Sequence, residues 1–258
     1  MSSAILITAR INSTRLPKKA LLTLYGKTTL IEHIIMRAKQ SLNSDEIILC
    51  TTLQEEDKEL CEIADSMKIL HYRGSTEDKL NRWLGAVNQY QIDHVVTMDG
   101  DDPFCMPDLV DLAFTQLENG NGDFIEKTGI ISGLFTYAFR TTALKKVCEI
   151  KDSENTEMMW TYFKDTGLFN IEELKQVSNV LIRSDQRLTL DYEEDLFLFR
   201  KIFSMIPGEY NIEVTKVIEL LAKSPDLNRI NYFRQNEFLT NQSKKTVLSL
   251  KENYLEKL

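Results

Sequence analysis

Four cations crowd one short stretch near the start of the chain, ARINSTRLPKKAL, which holds Arg10, Arg15, Lys18 and Lys19. The chain as a whole carries 31 Lys and Arg against 39 Asp and Glu, a net charge of −8, so this concentration runs against its average. A basic loop with the Ser13 and Thr14 hydroxyls and free backbone N–H groups suits a triphosphate, because arginine forks grip phosphate oxygens in pairs and lysine acts as a point charge. The opposite chemistry stands in VVTMDGDDPFCMP, where an apolar run ends in Asp99, Asp101 and Asp102 before Pro103 stops it. Like charges packed together are costly unless a cation or hydrogen-bond donors compensate, and Mg²⁺ takes one or two carboxylates together with substrate phosphates. Asp108 fits the N-cap of the following helix, which leaves Asp99 and Asp101 for a metal. In RLTLDYEEDL, Asp191 ends a further strand. Glu193, Glu194 and Asp195 there are explained by the dipole of the helix they open, but Asp191 is not.

Residues so far apart need a scaffold that brings strand ends together, and the pattern supplies one. Short β-branched runs at 4–8, 46–51, 68–72 and 94–98 alternate with helical spacing at 29–41, 55–67 and 77–90. Leu30, Ile31, Ile34, Ile35 and Ala38 form one buried helical face, with Thr28 or Thr29 available as its cap. This βα alternation predicts a parallel sheet with right-handed crossovers, and such sheets bind ligands outside the carboxyl ends of their strands. Beyond residue 98 the rhythm loosens. Helices are expected at 108–118, 141–148, 155–164 and 193–206, and strands at 123–125, 130–139, 176–182 and 187–190. The expected organisation is one α/β domain over residues 1–222 and a polar, helical extension over 223–258.

Composition removes several classes of function. With 43% hydrophobic and 27% charged residues, 10 Gly and 5 Pro, the chain reads as an ordinary globular protein and not a disordered or collagenous one. Its acidity argues against broad nucleic-acid or anionic-membrane binding, so any phosphate site is local. The apolar start breaks at Thr8 and Arg10, too early for a signal or a membrane span, so the expected location is the cytoplasm. Cys50, Cys61, Cys105 and Cys148 form no C-x-x-C and are expected to be reduced; His33, His71 and His94 are isolated, against a zinc site. Gly26-Lys27-Thr28 imitates the end of a P-loop, but the glycine it requires is replaced by Leu21, and there is no G-x-G-x-x-G. No serine or cysteine stands in a triad-like order with the three histidines, which disfavours a nucleophilic hydrolase.

The stretch ITARINSTRLPKKAL resembles the N-terminal signature of the cytidylyltransferases that include CMP-Kdo synthetase (3-deoxy-manno-octulosonate cytidylyltransferase), CMP-sialic acid synthetase and spore coat polysaccharide biosynthesis protein F. HYRGSTEDKLNRW, DGDDPFCMPDLVD, GLFTYAFRTTAL and RLTLDYEEDL follow in family order, so the resemblance runs from residue 4 to about 200. It implies a Rossmann-like nucleotide-diphospho-sugar-transferase α/β fold, a mixed and mostly parallel sheet flanked by helices, usually in a homodimer. It further implies Mg²⁺-dependent transfer of CMP from CTP to an acidic sugar or related surface-polysaccharide precursor, with release of pyrophosphate. Residue by residue, Arg10, Ser13, Arg15 and Lys19 match the triphosphate-binding loop, with Lys19 at the α-phosphate. Asp101 and Asp191 match the pair that holds Mg²⁺, and Arg73, Ser75, Asp78 and Arg82 match a segment near the base or acceptor. SENTEMMWTYF keeps only Glu157 of the spore-coat branch's E-H-V-T core, so the acceptor stays open.

Two other readings compete. Asp99-Gly100-Asp101 is also a D-x-D, by which metal-dependent glycosyltransferases of related fold hold a nucleotide-sugar. The basic loop separates the two, since a triphosphate leaving as pyrophosphate needs that extra positive charge. A nucleotide-binding scaffold without activity is the third, against which stand the intact aspartates and Lys19.

Overall fold

The computed structural model describes residues 1–13, 15–183 and 185–255. Thr14, one of the expected loop hydroxyls, lies outside them.

The predicted alternation forms the first half of the molecule. Strand β1 (Ser3–Thr8) is followed by a two-stranded hairpin, β2 (Thr23–Tyr25) and β3 (Thr28–Thr29), and helix α1 (Leu30–Ala38). Then come β4 (Glu46–Thr52), α2 (Lys58–Ser66), β5 (Leu70–Gly74), α3 (Lys79–Tyr90) and β6 (His94–Asp99). The second half contributes α4 (Pro107–Asn119), β7 (Phe124–Glu126), β8 (Ala138–Arg140), α5 (Thr141–Ile150), α6 (Thr161–Lys164) and β9 (Ile171–Glu173). It ends in α7 (Glu193–Met205), α8 (Val214–Lys223), α9 (Pro225–Tyr232), α10 (Gln235–Lys245) and α11 (Glu252–Leu255).

A seven-stranded sheet in the order β5-β4-β1-β6-β8-β7-β9 forms the centre. β5, β4, β1 and β6 run parallel, β8 is antiparallel to β6 and β7, and β9 is parallel to β7. The period of two along β1 sends Ile5 and Ile7 into one core with α1 and α4, and Ala4 and Leu6 into a second core with α3 and α5. Burial on both faces is why these strands read as continuous apolar runs. Thr29 caps α1, its hydroxyl accepting from the Glu32 amide while the Glu32 carboxylate accepts from the Thr29 amide.

The looser half departs from the sequence pattern. Of the strand expected at 130–139 only its end is laddered, as β8, because Gly129 and Gly133 adopt positive φ and bend the run away. A Cβ at Gly133 would lie 2.5 Å from the Leu188 carbonyl, so only glycine permits that approach. Residues 176–182 and 187–190 form no strand; a single 3₁₀ turn at Asn179–Leu181 and isolated bridges from Ile130 to Ile182 and from Ser132 to Arg187 replace them. Leu181, Leu188 and Leu190 are buried as separate anchors in the core, which produces the apolar pattern without a ladder. The helix expected at 155–164 is helical only in α6, since the Thr156 hydroxyl binds Asp78 and holds the start of the segment outside a helix. Asp108 is not the cap of α4. That position is Met106, and Asp108 acts from within the first turn, behind Pro107.

Asp195 does more than complement a dipole. It is fully buried, pairs with Arg187 at 2.6 Å, and accepts the Asp191 and Tyr192 amides at 2.8 and 2.9 Å and the Asn231 side chain of α9 at 2.9 Å. Removing one partner of such a buried pair strands the other, at a cost of about 3–5 kcal/mol. Asp195→Ala is expected to lower the unfolding free energy by that amount in urea titrations; a loss below about 1 kcal/mol would show that water reaches Arg187.

Candidate active site

The carboxyl ends of β1, β4, β5 and β6 meet at one edge of the sheet, with Thr8 opposite Asp99 and Thr52 opposite Gly74. There a cleft of about 420 Å³ opens, lined by Arg10, Ser13, Arg15, Lys19, Asp99, Asp101, Asp102 and Asp191 among others. The basic loop is tied down at both ends. The Ile11 amide donates to the buried Asp57 carboxylate at 2.8 Å, and the Lys18 amide closes back on the Ile11 carbonyl at 3.2 Å. Lys18 itself is exposed and stays off the cleft wall. Gly100 permits the turn that presents the aspartates: its amide donates to the Thr8 carbonyl at 2.8 Å, and a Cβ there would meet Ala9 and that carbonyl at 2.7 Å.

The two charged motifs interlock. The Lys19 ammonium donates to Asp101, lies 3.8 Å from Asp191 and reaches the Leu190 carbonyl at 3.3 Å. Arg15 donates to the other side of the network at Asp191, with its guanidinium 5.5 Å from the Tyr192 ring centre. The Leu190 amide donates to the Asp101 carbonyl at 2.7 Å, so the two aspartate-bearing segments are joined through their backbones as well. Burial opposes charge on Lys19, but Asp101 and Asp191 outweigh it and raise its pKa. For Asp191 burial is likewise outweighed, by Lys19 and Arg15, and its carboxyl falls below the usual range. Asp101 moves up, because burial together with Asp191 and Asp99 outweighs Lys19.

Asp99, Asp101 and Asp102 place one carboxylate oxygen each within 4.8 Å of one another. Three hard oxygen donors at the mouth of a phosphate-suited loop fit a divalent cation such as Mg²⁺. Asp191 joins this group through Lys19 and stands outside the close three. Behind the group, His33 donates from Nε2 to the Pro103 carbonyl at 2.6 Å and accepts from Tyr25 at 3.0 Å; burial lowers its pKa to about 3, so it holds the turn as a neutral ring.

Of the residues expected near the base or acceptor, the cleft takes Arg82, whose guanidinium donates to the Thr76 carbonyl at 3.3 Å. Arg73, Ser75 and Asp78 do not line it. Arg73 spends its guanidinium on the Thr52 and Gln54 carbonyls at 3.0 and 2.7 Å. Ser75 accepts the Asp78 amide at 3.1 Å, and Asp78 caps α3 while bound by Lys151 and by Thr156 at 2.8 Å.

Sequence reasoning missed Lys79, which donates to Asp99 at 2.8 Å and lies 4.9 Å over the Trp83 ring. Its signal was its place directly after the α3 cap, which puts its side chain at the strand-end surface. It also missed Tyr137 and Trp160 on the far wall, 6.1 Å apart, and Phe238, Gln242 and Lys245 from α10. The four cysteines are free thiols, as expected, and among the described residues no helix is long and apolar enough to cross a membrane.

A mostly parallel sheet whose carboxyl edge joins a cation loop to a carboxylate cluster is the arrangement of a nucleotidyltransferase-like α/β protein. The cytidylyltransferase family profile matches residues 4–247. Uncharacterized protein MJ1063 of Methanocaldococcus jannaschii is 32% identical over 231 residues, covering 88% of this chain and 93% of the relative. Spore coat polysaccharide biosynthesis protein SpsF of Bacillus subtilis is 24% identical, covering 86% and 94%. Among solved structures, a cytidylyltransferase from Leptospira borgpetersenii serovar Hardjo-bovis superposes with a TM-score of 0.79 at 28% identity, covering 88% of this chain and 96% of that one. The chain belongs to the cytidylyltransferase family and is a CTP-dependent nucleotidyltransferase.

Asp102 is raised well above the ordinary carboxylate value by burial and by Asp101 and Asp99. The stability this group contributes is present below the ordinary value and is lost as pH rises through the folded-state value. Asp102→Asn removes the charge and keeps an oxygen for the Thr136 hydroxyl, which now donates at 3.3 Å. It is expected to raise the melting temperature of the ligand-free protein at pH 7, with the gain shrinking toward about pH 4. Melts followed by circular dichroism at the two pH values check this, and equal shifts at both would refute the assignment.

Proposed function

We propose that this enzyme transfers CMP from CTP to an acidic sugar or related surface-polysaccharide precursor and releases pyrophosphate, with Mg²⁺ as cofactor. The observation that carries the reading is the position of Lys19 between Asp101 and Asp191: the loop suited to phosphates and the carboxylates suited to a metal meet at one ammonium. The relation to a spore coat polysaccharide biosynthesis protein supports the acceptor class.

In this reading Arg10, Ser13 and Arg15 grip the triphosphate and Lys19 neutralises charge at the α-phosphate. An acceptor hydroxyl attacks the α-phosphorus in line with the departing pyrophosphate and passes its proton to a nearby carboxylate such as Asp99, so catalysis consists of positioning, electrostatics and one proton transfer and needs no protein nucleophile. Asp101 and Asp191 would hold Mg²⁺, with Asp99 and Asp102 beside Asp101, and the ion would supply positive charge for the phosphoryl oxygens. Arg82 serves the base or the acceptor, while Arg73, Ser75 and Asp78 shape the loop that brings Thr76 and Glu77 to the cleft. The family resemblance adds a cytoplasmic homodimer, for which light scattering is expected to return twice the 29.9 kDa chain mass.

Thermal stabilisation decides the donor, since a ligand that binds only the native state raises the melting temperature with its affinity. CTP with Mg²⁺ is expected to stabilise more than UTP, GTP or ATP; stabilisation by UDP-sugars and not by CTP would sink the reading. Lys19→Ala is expected to lower pyrophosphate release by about 10²-fold or more, the scale for one preorganised charge-stabilising donor. Because Lys19 competes for Asp101 and Asp191, the same variant is expected to bind Mg²⁺ more tightly than the parent in the absence of nucleotide. Calorimetry checks this, and Mg²⁺ affinity that does not rise would remove the pair as metal ligands.

A further inference from the structure

Helix α10 brings a second set of charges to the cleft. Phe238, Gln242 and Lys245 line it, although they lie far along the chain from the loop and strand ends opposite. The helix is anchored to the turn that carries Asp191: Phe238 packs 5.0 Å from the Arg187 guanidinium and Arg234 pairs with Glu194 at 2.8 Å. Lys245 is thus held at the cleft mouth by packing elsewhere on its own helix.

Its present partner is a carboxylate of the same chain. The Lys245 ammonium lies 3.1 and 3.0 Å from the two Glu157 oxygens, and Arg10 approaches one of them at 3.9 Å. Burial opposes ionisation of Glu157, yet Lys245, Arg10 and Lys79 outweigh it and hold its carboxyl below the usual range. The three side chains are 42%, 41% and 35% exposed for Lys245, Glu157 and Arg10, so solvent screens the contact and makes it exchangeable. Two cations aimed at one solvent-exposed carboxylate, on the rim of a cleft whose ligands are anions, describe a site for an exogenous anion.

We propose that Lys245 and Arg10 form an anion-binding subsite at the cleft mouth, that Glu157 fills it as an intramolecular placeholder, and that anionic oxygens of a substrate displace Glu157 on binding. The subsite makes Lys245 a specificity-determining residue supplied by the C-terminal segment. Which substrate delivers the anion rests on the CMP-transfer reading: the oxygens are those of the nucleotide phosphates or of an acceptor carboxylate.

Calorimetric titration of the full chain and of Lys245→Ala, Lys245→Arg and Glu157→Gln tests this with three probes: inorganic phosphate, CTP with Mg²⁺, and 3-deoxy-manno-octulosonate. Lys245→Ala is expected to weaken at least one probe about threefold to tenfold, the scale of one charge-assisted hydrogen bond, and Lys245→Arg to restore it. Glu157→Gln is expected to tighten the same probe by a similar factor, because it frees both cations. That opposite sign separates the proposal from a structural ion pair, whose loss from either side acts in one direction. Changes confined to phosphate and CTP assign the subsite to the nucleotide, and changes confined to the sugar acid assign it to the acceptor. If Glu157→Gln tightens none of the three, the subsite is overturned. If CTP does not bind the parent protein, the CMP-transfer reading falls, while inorganic phosphate still decides the subsite.

Discussion

The Lys19 ammonium divides its charge between Asp101 and Asp191, and both carboxylates stand where they do because backbone bonds hold them there. Asp101 follows Gly100, which folds tightly onto Thr8, and its carbonyl accepts the Leu190 amide just before Asp191. Without a cation between them, two carboxylates at the mouth of a sheet would repel, and each would lose its ionised form to burial. The basic loop therefore supplies the positive charge that offsets the acidic strand ends.

Around that core the protein layers further compensation. Lys79 answers Asp99, and Arg15 answers Asp191. Arg187 and Asp195 form a buried pair beneath the same turn, with Asn231 reaching in from α9. That buried pair couples the C-terminal helices to the site: the residues that satisfy Asp195 also set the path of the chain into α10. A cleft built from the ends of β1 and β6 thereby gains a wall from a segment more than a hundred residues later.

The first half of the fold was legible because parallel strands buried on both faces must be continuously apolar, and the helices between them must carry one apolar stripe. The same reasoning placed β7, α5 and α7 but failed where Leu181, Leu188 and Leu190 are single anchors on irregular chain. Apolar spacing reports burial, and burial without ladder pairing has the same spacing as a strand. The hairpin β2–β3 and the short edge strand β9 escaped for a related reason, since each is too short to set up a period. Asp108 shows a smaller version of the error: residue type suited the cap, but Pro107 begins the helix one residue earlier and leaves the cap position to Met106.

For the site, sequence by itself determined the kinds of chemistry, because a cation cluster in an acidic chain and carboxylates at strand ends are costly arrangements that local structure does not explain. Arg10, Ser13, Arg15, Lys19, Asp101 and Asp191 all line the cleft, as does Arg82. Tertiary structure alone decided the pairings: that Lys19 stands between two aspartates, that Lys79 serves Asp99, that Arg73, Ser75 and Asp78 turn inward to hold a loop, and that Lys245 meets Glu157. Pairing energies depend on distance and burial, which the order of residues does not encode locally, so the partners of each charge emerged only when the chain closed on itself.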